Sequence, residues 1–138
     1  MGEGKTHELQ ERRMELHAHE QKLQQIQQYL AALEQQVAEL RQTSEAIADI
    51  AKLKGETSSF VPVSSGIFVQ AAVASPAEFL VNVGAHTAVK KSKDEVLALI
   101  SSQVSDIQEM QQKLAETFLQ IKAAAERIQM DIAHLSRE

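Results

Sequence analysis

Phe60-Val61-Pro62-Val63-Ser64-Ser65-Gly66-Ile67-Phe68-Val69-Gln70-Ala71-Ala72-Val73 is the stretch on which the reading of this chain turns. Two short runs rich in β-branched and aromatic residues flank a Ser-Ser-Gly break, the pattern of strand, tight turn and strand. A second pair follows, Phe79-Leu80-Val81-Asn82-Val83 and Thr87-Ala88-Val89-Lys90, divided by Gly84-Ala85-His86. Ala74-Ser75-Pro76-Ala77 separates the two pairs, and three of the four Phe residues fall within them. The pattern predicts up to four strands in two hairpins, all inside residues 55–91.

Outward from this segment the period changes from two to seven. From about Lys5 to Lys54 there is no Gly or Pro, and good helix formers dominate. Leu9, Leu16, Leu23, Leu30 and Val37 fall seven apart, and Ile26, Leu33, Leu40 and Ile47 form a second series offset by three. Taken as heptad positions a and d, they make an apolar seam over about four heptads. Arg12 and His19 occupy d positions near the start, and Ser44 and Ala51 weaken the a series further on. Lys52, Lys54 and Gly55 are the expected chemistry of a helix end.

The last third repeats the design. Ser92-Lys93-Asp94-Glu95 is a capping box, in which the Ser92 hydroxyl accepts from the Glu95 amide and the Glu95 carboxylate reaches back. Ile100, Ile107, Leu114, Ile121, Ile128 and Leu135 form one unbroken series; Leu97, Val104, Phe118, Ala125 and Ile132 form the other, interrupted by Gln111. Gln111 at an a position reads as a polar interruption that fixes register at some cost in stability. Helices of this length extend on the order of 70 Å.

The expected fold is therefore mainly α: a long antiparallel two-helix coiled coil, residues 1–54 and 92–138, around a small central β segment of two hairpins, residues 55–91. Folding back covers the two seams with each other and brings both ends of the chain to one tip. It also leaves the strands without a cover, because both helices are committed elsewhere. An isolated hairpin is marginal in water, and strands with Phe and Val on both faces expose open edges and apolar surface. Strands from other subunits are expected to complete them, so the β segment is expected to join an intersubunit β platform. Phe60, Val61, Val63, Ile67, Phe68, Val69, Val73, Phe79, Val81, Val83 and Val89 are the candidate oligomerisation residues.

Composition excludes most other classes. Apolar residues make up 43% but aromatics only 4%, with no Trp and one Tyr, which favours helix seams over a compact aromatic core. The net charge is −5 without a basic stripe, against nucleic-acid binding. The run Lys90-Lys91-Ser92-Lys93 reads as solvated surface at a helix entry. No apolar run approaches the roughly 18 residues of a membrane span, and Met1–Thr6 lacks the apolar centre of a signal peptide. The expectation is a cytoplasmic protein. With no cysteine, thiolate catalysis and cysteine-bound zinc are excluded. Gly55, Gly66 and Gly84 are isolated turn glycines rather than a phosphate loop. The carboxylates lie on helix faces with no apolar pocket to raise their pKa, so acid–base catalysis has no support. His7, His17, His19 and His134 read as solvated polar residues rather than metal ligands. No catalytic residue, metal or cofactor is expected.

The residues themselves carry a family likeness. Phe60 to Ala71 resembles the prefoldin α-type pattern apolar-Val-Pro-apolar-x-x-Gly-x-Phe-apolar-x-Ala. Val81-Asn82-Val83-Gly84-Ala85-His86-Thr87-Ala88-Val89-Lys90-Lys91-Ser92 resembles the second hairpin and helix entry of the same family. His86 stands where that pattern often has Gly, which leaves a positive-φ turn there without its usual residue. The resemblance implies a hexamer of two α-type and four β-type subunits. It also implies coil tips that hold unfolded client proteins without ATP and pass them to a group II chaperonin. Leu9, Met14 and Leu16, with Ile128, Met130, Ile132 and Leu135, are then the candidate client-binding residues, although most of those in the heptad series also serve to close the coil. Met14 and Met130 fall outside the series, and Met adapts to varied apolar partners. A structural or adaptor coiled coil of another assembly is the alternative reading.

Overall fold

A computed structural model describes residues 2–76 and 78–137. Ala77, placed by the sequence in the break between the hairpins, and Met1 and Glu138, at the outer ends of the two expected helices, lie outside the described residues. The order is α1 (Gly2–Ala51), β1 (Thr57–Ser64), β2 (Ile67–Val73), β3 (Phe79–Gly84), β4 (Thr87–Lys91) and α2 (Lys93–Arg137). Two compact units divide the chain: Met1–Gln36 with Asp106–Glu138, and Val37–Ser105.

The first unit is a pair of helical segments sealed by the heptad residues. Ile26, Leu33, Ala125 and Ile128 are buried, and Leu9, Leu16, Leu23, Leu30, Leu114, Phe118, Ile121 and Leu135 are partly buried. The segments run antiparallel, since Leu9 and Leu135 line one depression and Leu30 and Phe118 another. Gln111, the polar interruption, donates its side-chain amide to the Glu34 carboxylate at 3.1 Å. One position along, the Tyr29 hydroxyl reaches Met110 Sδ at 3.7 Å. A polar side chain with one partner at one height penalises sliding of the helices, the register role that such interruptions serve. Arg12 and His19, the polar d residues, are partly buried, in keeping with seam positions.

In the second unit the ends of both helices meet the strands. α1 stops at Ala51, earlier than the Lys54 expected from composition, because the Lys52 and Leu53 amides bond back three residues to the Asp49 and Ile50 carbonyls. This tightens the last turn and ends the α-helical ladder. Gly55 follows with φ of 70°, and the Ser75 hydroxyl donates to the Ala51 carbonyl at 3.0 Å, tying the link between the hairpins to the helix end.

α2 starts as its capping box requires. The Glu95 amide donates to Ser92 Oγ at 3.2 Å, and the Ser92 amide donates to the Glu95 carboxylate at 3.1 Å. The hydrogen bond from the Ser92 amide, then the Ser92 side chain and the charge of Lys91, hold the Glu95 carboxyl below its ordinary value. A group depressed in the folded state stabilises above its unfolded pKa and loses that contribution as pH falls through the folded value. Acid should therefore loosen the start of α2, and Glu95→Gln should remove that pH dependence. Ser92→Ala should cost about 1 kcal/mol, seen as a lower Tm by circular dichroism.

Candidate functional site

The strands form two separate two-stranded antiparallel sheets, β1 with β2 and β3 with β4. In the first, Val61 pairs with Val69 and Pro62 with Phe68, and one extra residue at Val63 bulges β1 beside the turn. Paired residues share a face and alternate along each strand. One face carries Phe60, Pro62 and Phe68, and the other Val61 and Val69. Neither face is covered: Phe60 is 69% exposed and Phe68 60%, with Val61, Val63, Ile67 and Val69 also exposed. From Thr57 to Val73 there is no charged residue. Soluble monomers rarely show contiguous apolar surface on both sides of a sheet; such surface marks an interaction site.

The second hairpin is different, and here the structure corrects an expectation. Phe79 and Val81, on one face, pack against a cluster of Ile47, Val96 and Ile100 with Leu40, Leu97 and Val104 around it. The helices therefore do cover part of the β segment. On the opposite face Leu80 stands 73% exposed beside Asn82, Ala88 and Lys90. Val96 was outside both heptad series, because its task is to receive this hairpin rather than to close the coil. Of the candidate oligomerisation residues, Phe79 and Val81 thus already have partners, Val73 is partly buried, and the rest are exposed.

The hairpin tip is a second departure. Ala85 and His86 connect β3 to β4 with φ of 51° and 59°, after Gly84 at 95°. His86 adopts the positive φ although the family residue for it is absent. Two consecutive positive-φ residues are the signature of the type I′ turn, whose twist matches the flanking strands. Sheet pairing thus overrides a local cost of about 1 kcal/mol for each side chain in this region. His86→Gly should stabilise the hairpin by about 1 kcal/mol, slowing exchange of the β3 and β4 amides several-fold.

At the coil ends in the first unit, the candidate client-binding residues divide by position. Met14 is 68% exposed and Met130 71%, Leu9, Leu16, Ile132 and Leu135 are partly buried, and Ile128 is buried in the seam. Leu9 and Leu135, with Gly2, Lys5, Thr6 and Ser136, line a shallow depression of about 390 Å³. His7 Nε2 lies 3.1 Å from Glu11 Oε1. Among the described residues, no three His, Asp or Glu side chains gather as metal ligands would, and no helix is long and apolar enough to cross a membrane.

A family model described as prefoldin subunit matches residues 19–138, which takes in both helices and both hairpins. The chain belongs to the prefoldin family. Among curated prefoldin proteins, the α subunit of Methanospirillum hungatei is 26% identical over 68% of this chain and 66% of its own length. The α subunit of Archaeoglobus fulgidus is 24% identical over 67% and 68%, respectively. These relatives are α-type subunits. The chain matches about two thirds of their length. A chain in the cryo-EM structure of filamentous PFD from Methanocaldococcus jannaschii has the same fold, with a TM-score of 0.78 at 18% identity, over 86% of this chain and 98% of that one.

Proposed function

We propose that this prefoldin-family chain is an α-type subunit, an ATP-independent holdase that assembles with β-type subunits, two α to four β. It captures unfolded proteins at the coil ends and hands them to a group II chaperonin. It has no catalytic step and needs no cofactor or metal. The observation that carries this reading is the first hairpin, uncharged and apolar on both faces yet uncovered by its own chain. Such a surface suits a permanent neighbour. The exposed Met14 and Met130 near the ends suit varied apolar clients. The individual contacts are weak, and several coils acting on one client raise the combined affinity by multivalency.

The test is suppression of aggregation by the chain assembled with β-type subunits. Unrelated denatured clients should all be held without ATP, and then released to fold when a group II chaperonin and ATP are added. Protection of a single defined protein, with none for the others, would favour an adaptor coiled coil instead.

A further inference from the structure

The chain has four methionines but no cysteine and no tryptophan. Cysteine thiolates and methionine thioethers are the side chains that peroxides oxidise in defined steps. With the thiols absent, the thioethers are what this chain offers to such an oxidant. Among the described residues they are of two kinds. The Met110 sulfur, near the middle of α2, accepts the Tyr29 hydroxyl at 3.7 Å, which engages one of its lone pairs. Met14 and Met130 stand largely in water, and among the described residues no donor meets either sulfur.

Their placement sets these two apart. The antiparallel register that brings Leu9 beside Leu135 and Glu34 beside Gln111 puts Met14 and Met130 at one height. That height is about 8 Å inboard of Leu9 and Leu135. Each lies on the side of its helix turned away from the seam. The neighbours on each helix flank, three and four residues away, are polar or small: they include Glu11 and His17 around Met14, and Glu126, Arg127 and His134 around Met130. Each methionine is thus the large apolar group of a polar flank, with a sulfur that no packing shields.

We propose that Met14 and Met130 are reversible oxidation sites through which a peroxide switches off client holding while the coil and the assembly stay intact. The thioether sulfur attacks one peroxide oxygen. An S–O bond forms as the O–O bond breaks, and the proton on the attacked oxygen passes to the departing hydroxide. Hydrogen peroxide thus yields the sulfoxide and water, the sulfur losing two electrons and the peroxide gaining them. The product is polar, so each flank loses its apolar client contact. The fold is spared because neither side chain is part of the buried seam. A sulfoxide reductase with a dithiol reverses the change, giving back the thioether with a disulfide and water. This rests on the proposed holdase role and adds a control to it.

The test is to oxidise the full chain alone with hydrogen peroxide, remove the oxidant and mix the chain with untreated β-type subunits. Peptide mass spectrometry should show Met14 and Met130 oxidised ahead of Met110. Suppression of aggregation should fall several-fold, with helix content and native mass unchanged, and return after treatment with both methionine sulfoxide reductases and dithiothreitol. In Met14→Leu with Met130→Leu, the ratio of treated to untreated holding should stay near one, whereas Met110→Leu should lose holding on treatment as the wild type does. Holding undiminished with both sulfurs oxidised, equal loss in the Leu double variant, loss accompanied by unfolding, no recovery after reduction, or Met14 and Met130 left unoxidised would overturn the proposal. In each of these cases, holding by the untreated assembly leaves the proposed function standing. An untreated assembly that holds no client would overturn both.

Discussion

Replacing Phe60 and Phe68 together with serine should dissolve the assembly and leave the isolated chain as stable as before. Both rings are more than half exposed within the chain, so little of their surface contributes to its own folding. Burying a Phe side chain completely is worth about 1.5–3 kcal/mol. Two rings on one hairpin face, each about two thirds exposed, would then contribute about 2–4 kcal/mol, a factor of about thirty to a thousand in the dissociation constant. The measurement pairs a thermal melt of the isolated chain with its titration against β-type subunits. Leu80→Ser, on the second hairpin, should weaken assembly less, because its face is otherwise largely polar or small, with Asn82, Ala88 and Lys90. An unchanged affinity in the Phe60/Phe68 variant would remove the first hairpin from the interface.

The second large effect is expected at the coil ends of the first unit. Deleting residues 1–12 and 127–138 should abolish suppression of aggregation while the assembly keeps its subunit count. The deletion removes Leu9 from α1 and Ile128, Met130, Ile132 and Leu135 from α2, and leaves the hairpins untouched. The interior of the first unit remains sealed by Ile26, Leu33 and Ala125, all buried. Helix ends open most readily because few buried contacts hold them, so partly buried seam residues there are available to a client at low cost. Ile128, buried in the closed seam, joins only when the end opens. A milder variant, Met14→Ser with Met130→Ser, should weaken client holding several-fold with no effect on stability, since both side chains are already exposed. Full holding activity in the truncated assembly would place the client site elsewhere.

The helices were legible because a seam is a repeated constraint: each of some dozen positions tests the same period, and exceptions such as Arg12 and His19 leave the rule intact. Gln111 was readable as a register residue, but its partner was not, since Glu34 is one of many carboxylates on α1 and only the pairing of the helices selects it. The strands were legible from their β-branched runs and breaks. The inequality of the two hairpins was not. Phe79 and Phe60 look alike in sequence, and only tertiary packing sets the first on Ile47, Val96 and Ile100 and leaves the second bare. The turn at Ala85 and His86 defied the local rule for the same reason, as strand pairing on either side over-determines its conformation. Of the coil-end residues, the exposure of Met14 and Met130 could be foreseen from their place outside the heptads.

The first hairpin as an unfinished surface is the point to be tested most directly, by the native mass of the chain alone and after mixing with its β-type subunit. The mixture should give a discrete species of two α-type and four β-type subunits, in which the amides of β1 and β2 become strongly protected from hydrogen exchange. A chain that stays monomeric and folded in both samples, with that hairpin still exchanging freely, would contradict the account.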